Sequence, residues 1–128
     1  MNERIFITGA SSGIGEALAI EYAKRGAILG LSARRTEKLN KVSKKCEELG
    51  AKEVLVYSLD VTDDDKSTKI INEFLDHTHG IDIVIANAGV AYSDKISSGD
   101  PTQINKVIST NVIGVTNSII PFVPKMKE

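Results

Sequence analysis

The glycine-rich stretch at residues 8–15, TGASSGIG, constrains this chain more than any other segment. It follows the apolar run RIFI and opens a helical pattern of apolar residues, which predicts a tight turn from a strand into a helix. Gly9 allows the sharp turn, Gly13 allows backbone N–H groups to approach phosphate oxygens, and Gly15 allows the helix to pack closely on the strand. The N-terminus of that helix offers unpaired donors to an anion.

The glycine spacing separates this turn from two common phosphate-binding loops. It is not G-x-G-x-x-G, and it does not fit G-x-x-x-x-G-K-[ST], because Ile14 stands where the second glycine is required and no lysine follows. We interpret the turn and its flanks as a dinucleotide pyrophosphate site. The alternative is a tight turn that binds nothing.

Length and composition limit the remaining possibilities. A chain of 128 residues is expected to form one domain, and its 16 basic and 17 acidic residues give no electrostatic footprint for nucleic acid. We find no run of about 18 apolar residues, so no membrane span is expected. The predicted first strand begins at Arg4, which leaves no room for a signal sequence. A lone Cys46 on an apolar helical stripe predicts core packing and a cytoplasmic protein without an internal disulfide.

Strand and helix patterns alternate along the whole chain. Strands are expected at residues 4–7, 27–32, 53–58 and 81–86, and residues 90–99 are expected to form a loop. The first helix is predicted to end near Arg25 with a Gly26 cap, and the second to have Thr36 as its N-cap and to stop at Gly50. The third is predicted to start at a Thr62-x-x-Asp65 capping box. The last is predicted to start with Asp100 as its N-cap and Pro101 as its first residue, and Pro121 and Pro124 are expected to interrupt it. This alternation predicts an α/β fold, a doubly wound parallel sheet of the Rossmann type with strand order 3-2-1-4.

Polar residues follow the carboxyl ends of these strands, where such sheets bind ligands. Arg34 and Arg35 after the second strand fit a ribose 2′-phosphate, while Ala33 cannot accept from a 2′-OH; the alternative is a pair of solvated arginines. Asp60 either accepts from an adenine amino group or caps the following turn. Asn87 either orients the crossover backbone or touches adenosine.

Two further groups of polar residues carry weaker signals. Asn111 shares a predicted apolar stripe with Ile108, so its spacing favours a structural hydrogen bond. His77 and His79 fall in the last turn of a predicted helix, where cations are favoured, and without further ligands they do not predict a metal site.

Taken together, these motifs resemble the short-chain dehydrogenase/reductase family over the entire chain. The resemblance rests on the glycine turn, on Asp60-Val61, on Asn87-Ala88-Gly89 and on Asn111. It implies cofactor contacts from Gly9, Ser11, Ser12, Gly13, Ile14, Gly15, Arg34, Arg35, Asp60, Val61, Asn87, Ala88 and Gly89. It also implies that Arg34 and Arg35 favour NADP and that Asn111 holds a proton-relay water. The expected reaction is hydride transfer between nicotinamide and a carbonyl or hydroxyl carbon of a small molecule.

The chain departs from the family pattern in its catalytic residues. Family members run to about twice this length, with a serine after the fifth strand and a Tyr-x-x-x-Lys on the next helix. Tyr22, Tyr57 and Tyr92 are followed four positions on by Gly26, Val61 and Ile96. We therefore expect an NADP-binding portion, residues 1–128, that stops before a fifth strand, is inactive alone and forms homo-oligomers. The alternative is a non-catalytic NADP-binding or interaction module.

Overall fold

The computed structural model, which describes residues 2–89 and 99–127, contains a four-stranded parallel sheet in the order β3-β2-β1-β4. The strands are β1 (Arg4–Thr8), β2 (Ile28–Ala33), β3 (Glu53–Ser58) and β4 (Ile83–Ala86). The first three helices are α1 (Gly13–Lys24), α2 (Thr36–Leu49) and α3 (Asp64–Thr78). The predicted α/β fold and strand order are confirmed. The loop predicted at residues 90–99 lies outside the described residues except for Gly99.

Two apolar clusters, one on each face of the sheet, form the core. Ile5 and Ile7 pack with Cys46 and other residues of α1 and α2, whereas Phe6 packs on the opposite face with Phe74 of α3. Phe6 and Phe74 meet edge to face with centroids 5.2 Å apart. Because β1 alternates its side chains between two covered faces, it is buried on both, as expected of an inner strand of a doubly wound sheet.

The predicted helix ends are partly right. Gly26 and Gly50 adopt positive φ angles of 77° and 118°, as the predicted caps require. The other boundaries are displaced by one residue. α1 ends at Lys24 with Arg25 as its cap, and α2 begins at Thr36 after an Arg35 cap. Asp63 caps α3, and Pro101 is the cap of the helix that begins at Thr102.

The three residues predicted as helix N-caps, Thr36, Thr62 and Asp100, are therefore not at the N-cap positions, which Arg35, Asp63 and Pro101 occupy. Thr62 does not form a capping box, because its backbone N–H and hydroxyl both donate to Asp60, while the Asp63 carboxylate accepts from Lys66 N at 3.0 Å. Asp100 accepts from Thr102 in the same way, at 2.9 Å from the backbone nitrogen. Short local turns of this kind compete with the capping geometry.

A helical segment at residues 102–126 covers one end of the second cluster. It comprises α4 (Thr102–Ile108), a π-helical turn (Ser109–Ile113), α5 (Gly114–Ile119), a 3₁₀ turn (Ile120–Phe122) and α6 (Val123–Met126). The 3₁₀ turn falls at Pro121, one of the two prolines predicted to interrupt the helix. Phe122 is fully buried, but Ile108, Val112 and Ile120 are 51%, 57% and 61% exposed.

This segment corrects the expectation that no stretch suits a membrane. Ile104–Met126 is long and apolar enough by length and composition to cross one, because its mean hydropathy reaches 1.3 although polar residues interrupt it. Only 17% of its most apolar window is buried within the described chain. It therefore carries an apolar surface that the sheet does not cover.

Candidate cofactor-binding cleft

The carboxyl ends of the four strands open into one cleft of about 420 Å³. Twelve of the residues predicted from the sequence line it, namely Gly9, Ser11, Ser12, Gly13, Ile14, Arg34, Arg35, Asp60, Val61, Asn87, Ala88 and Gly89. Ala33, Lys38, Leu59 and Thr110 also line it, and sequence reasoning did not select them for the site. Gly15 and Asn111, which it did select, are not among the lining residues.

The glycine turn has the backbone that its sequence predicts. Gly9 and Gly13 have φ angles of 64° and 59°, in the left-handed region that favours glycine. Ser12 is the extended N-cap of α1 and its side chain makes no capping hydrogen bond. In the described chain, no side chain occupies the first N–H groups of α1, which is the arrangement that suits an anion.

Gly15 contributes to packing behind the cleft rather than to its wall. A Cβ there would collide with the Gly9 carbonyl oxygen and with the Asn87 side-chain nitrogen. The predicted reason for glycine, close approach of the helix to the preceding strand, is therefore visible in the structure.

The turn after β4 is fixed by hydrogen bonds from its own backbone. Asn87 N and Ala88 N both donate to Thr8 Oγ1, at 3.0 and 3.1 Å. The Asn87 side-chain amide donates to Gly9 O at 3.1 Å. Asn87 thus orients the two turns against each other, which is one of its two predicted roles, and it lines the cleft while doing so.

Three cationic side chains line the cleft beyond β2. Arg34 and Arg35 are exposed and form no ion pair within residues 2–89 and 99–127. Lys38 joins them from the first turn of α2. The sequence could have identified Lys38, because the third residue of a helix that starts at the carboxyl edge of the sheet stays close to that edge.

Asp60 and Val61 lie in the loop after β3 and line the cleft. Asp60 Oδ1 accepts from Thr62 N at 3.0 Å and from Thr62 Oγ1 at 2.7 Å. These bonds hold the pKa of the Asp60 carboxyl below its ordinary value, with Arg34 adding a weaker charge effect. The turn-capping role that we predicted as one alternative is therefore present. Val61 is only 4% exposed.

Asn111 lies in the π-helical turn. Asn111 is exposed rather than buried, and so are Ile104 and Ile108 of the predicted apolar stripe. Asn111 nevertheless approaches the turn after β4, because a Cβ on Gly89 would lie 3.0 Å from its Oδ1. The neighbouring Thr110 lines the cleft.

The remaining reactive side chains lie away from the cleft. Cys46 is fully buried in the core, as predicted, and burial raises the pKa of its thiol to about 11, so it stays protonated at neutral pH. His77 Nε2 lies 2.9 Å from both carboxylate oxygens of Glu53. Among the described residues, no three His, Cys, Asp or Glu side chains are grouped to hold a metal ion.

A parallel sheet with a glycine turn, an uncapped helix N-terminus and a polar cleft at its carboxyl edge is the Rossmann-type fold, in which ligands bind at that edge. Comparison with known proteins narrows this class. Residues 3–128 match the family model for short chain dehydrogenases. The chain belongs to the short-chain dehydrogenase/reductase family.

Individual relatives agree with this family. The chain is 38% identical over 122 residues to 11-beta-hydroxysteroid dehydrogenase 1A of Arabidopsis thaliana, covering 92% of this chain and 35% of that protein. It is 40% identical over 129 residues to 11-beta-hydroxysteroid dehydrogenase-like 2 of the same plant, covering 96% and 41%. The chain therefore spans well under half the length of these relatives.

Solved structures with the same fold carry two different cofactors. An alcohol dehydrogenase from Thermococcus sibiricus complexed with 5-hydroxy-NADP has a TM-score of 0.92 and 31% identity, with 99% of this chain and 54% of that one covered. The NADH-dependent reductase A1-R′ complexed with NAD has a TM-score of 0.87 and 28% identity, with 98% and 53% covered. Because the two differ in cofactor, a preference has to be argued from the residues of this chain.

Proposed function

We propose that this chain is the NADP(H)-binding portion of an oxidoreductase that transfers hydride between nicotinamide and a carbonyl or hydroxyl carbon of a small molecule. The observation that carries the NADP assignment is the group of three cations, Arg34, Arg35 and Lys38, at the end of β2. Ala33 precedes them where an acidic residue would hold the 2′-OH of NAD and repel a phosphate.

The other proposed cofactor contacts apply the family pattern to the residues that line the cleft. The glycine turn and the first N–H groups of α1 would hold the pyrophosphate. Asp60 and Val61 would contact adenine, and the Asn87-Ala88-Gly89 turn the adenosine side. Ile14 lines the cleft with 71% of its surface exposed, which gives a planar ring an apolar contact. Gly15 would contribute by letting α1 pack closely behind the glycine turn, without lining the cleft itself.

Bound NADP(H) would supply or accept the hydride, and the chain's own contribution to proton transfer is Asn111. We assign Asn111 the role of holding a water molecule near the turn after β4, from which a proton relay would run. No tyrosine in the 128 residues is followed by lysine four positions on, so the acid–base pair of the family pattern is not supplied here.

We further assign the apolar surface of residues 104–126 to protein contacts within a cytoplasmic homo-oligomer rather than to lipid. The support is that this segment already packs on the sheet: Gly114, Ser118 and Phe122 are buried against it. Asn117 also hydrogen-bonds to the loop after β3.

Calorimetric titration of the chain with NADP⁺, NAD⁺ and 2′,5′-ADP tests the cofactor assignment. We expect NADP⁺ to bind about ten- to a hundredfold more tightly than NAD⁺, because charge-assisted hydrogen bonds contribute roughly 1.5–3 kcal/mol. We expect 2′,5′-ADP to retain most of that preference over 5′-AMP. Equal affinities for NADP⁺ and NAD⁺ would identify the arginines as a solvated loop, and no binding of any nucleotide would refute the cofactor site.

A further inference from the structure

A single side chain on α5 connects three elements around the adenine side of the cleft. Asn117 Nδ2 donates to the backbone carbonyl of Val61 at 2.9 Å and to Asp64 Oδ1 at 2.7 Å. Val61 lies in the loop after β3, and Asp64 is the first residue of α3. Both hydrogens of one amide group are thus given to acceptors that are more than fifty residues away in the chain.

The backbone of α5 approaches the same loop without a side chain between them. Gly114 is buried, and a Cβ there would collide with Val61 Cγ2. Ser118 Oγ donates to Gly114 O at 2.7 Å inside the same contact. Val61 is therefore held through its side chain by Gly114 and through its carbonyl by Asn117.

This contact lies between two parts of the proposed site. On one side, Val61 lines the cleft next to Asp60. On the other side, the helical segment that carries Asn117 continues back through the π-helical turn to Thr110, which lines the cleft, and to Asn111, which approaches Gly89. One helical segment therefore touches the cleft where we place adenine and also where we place the proton relay.

We propose that Asn117 is a positioning residue that fixes the Val61 loop to α5, so that occupation of the adenosine end of the cleft and docking of this helix stabilise each other. Asn117 does not line the cleft, and its effect passes through Val61. Coupling of this kind is reciprocal: a ligand that stabilises the loop must stabilise the helix by the same free energy. The inference rests on the proposed dinucleotide site.

The first test compares Asn117→Asp with Asn105→Asp. Both variants exchange an amide for a carboxylate on the same helical segment, but Asn105 is exposed on α4 and does not line the cleft. The new carboxylate at position 117 loses both donors and faces Asp64. We expect N117D to bind 2′,5′-ADP about tenfold more weakly than wild type, with nicotinamide mononucleotide binding unchanged, and N105D to match wild type for both.

Comparing the affinity for 2′,5′-ADP with the affinity for nicotinamide mononucleotide distinguishes a positioning role of Asn117 from general damage to the fold. Titrations are made well below the melting temperature of each variant, measured by circular dichroism. Unchanged affinity of a folded N117D for 2′,5′-ADP would overturn the proposal. An equal loss of affinity for 2′,5′-ADP and for nicotinamide mononucleotide would overturn it too. If the wild type binds no nucleotide, the proposed function fails instead, and the two failures are thereby distinguished.

A second measurement needs no variant that might fail to fold. Amide hydrogen exchange of the wild-type chain is followed with and without saturating 2′,5′-ADP. We expect slower exchange in α5 at Gly114 to Ser118 as well as in the glycine turn. Protection that is confined to the glycine turn and the loop after β3 would show that the helix is not coupled to the ligand, and would overturn the proposal.

Discussion

The two sides of β1 differ in how completely they are packed. On the side of β2, Ile5, Ile7, Leu29 and Leu31 have no exposed surface, and β2 pairs with strands on both of its edges. On the other side, β4 pairs with β1 alone among the described residues, and all four of its residues are half-buried. The glycine turn and the cations proposed to recognise phosphate therefore follow the two inner strands, β1 and β2. Asp60 and Val61 follow the outer strand β3, and the turn that Asn111 approaches at Gly89 follows the outer strand β4.

This difference indicates a division of tasks within the cleft. Under the proposed function, recognition of the nucleotide would depend on turns that are fixed by hydrogen bonds, such as the turn after β4 held by Thr8. Proton transfer would depend on a helical segment whose exposed residues include Ile108 and Val112. Binding and catalysis should consequently respond differently to the same changes.

The largest expected effect is the loss of catalysis with retention of binding. The 128-residue chain should bind NADPH yet show no protein-dependent oxidation of it with a ketone, because general acid–base catalysis of the order of 10²–10⁴-fold requires a positioned proton donor that this chain does not supply. The measurement is absorbance of NADPH with and without protein, after binding is verified by titration. Steady turnover by the pure chain would contradict this prediction.

The next largest effect concerns the cationic side chains that line the cleft after β2. Arg34→Ala with Arg35→Ala should weaken NADP⁺ binding about ten- to a hundredfold and leave NAD⁺ nearly unchanged, with the larger share from Arg34, which follows β2 directly. Lys38→Gln should reduce NADP⁺ affinity less. Lys41→Gln, which changes the same charge on α2 outside the cleft, is the control. A loss of the same size for NAD⁺ would argue against 2′-phosphate recognition.

Sequence reasoning succeeded where a residue type has one physical use. Gly9 was predicted to allow a sharp turn, and it has a positive φ. The apolar runs predicted a sheet covered on both faces, and the structure has one apolar cluster on each face. Twelve of the fourteen site residues line one cleft because strand ends of a parallel sheet share an edge. Their contacts with a cofactor remain predictions.

Sequence reasoning failed where several local geometries compete within a fraction of a kcal/mol. Thr62 looks like a helix cap, but the hydrogen bonds of neighbouring Asp60 and Asp63 set that boundary. Thr36 also looks like a cap, but it is the first residue of α2 and Arg35 occupies the cap position. The π-helical turn at Asn111 was not predicted, because its sequence fits a regular helix equally well. Lys38 was missed because a lysine early in a helix is also typical of a solvated surface.

The close contact behind the glycine turn offers a third prediction, on stability. Gly15→Ala should lower the free energy of unfolding by about 1–3 kcal/mol, because the new Cβ collides with backbone at Gly9 and cannot be relieved by a rotamer change. Ala17→Gly, at an exposed position of α1, is a comparison that costs about 0.5–1 kcal/mol through helix propensity alone. Urea denaturation measures both. A smaller cost for Gly15→Ala than for Ala17→Gly would refute the packing role.

We predict self-association from the outer edge of β4 and from the apolar surface of the helical segment. Among residues 2–89 and 99–127, the outer edge of β4 pairs with no strand, and this edge and the exposed apolar residues of the helical segment both favour contact with another chain. Sedimentation should show mass rising with concentration. Ile108→Glu should raise the concentration of half-association about tenfold, whereas Ile14→Glu, at an exposed apolar residue of the cleft, should not. A monomer that persists at high concentration would contradict the prediction.

The smallest expected effect concerns the ion pair that ties β4 to β1. Arg4 donates to both carboxylate oxygens of Asp82, with Nη2 3.0 Å from Oδ1 and Nε 3.1 Å from Oδ2. These hydrogen bonds hold the pKa of Asp82 below its ordinary value. The side chain of Asp82 is 40% exposed, so Asp82→Asn should cost only about 0.2–1 kcal/mol near neutral pH.

The pH dependence of that cost identifies its origin. Because the folded-state pKa of Asp82 is lowered, the stabilisation is fully present above the unfolded-state pKa of about 3.9 and is lost as the pH falls through the lower folded-state value. The difference in unfolding free energy between wild type and D82N should therefore be constant from pH 5 to 7 and shrink in stronger acid. A cost for D82N that is the same at acidic and neutral pH would assign it to packing at the strand end instead of to the charge on Asp82.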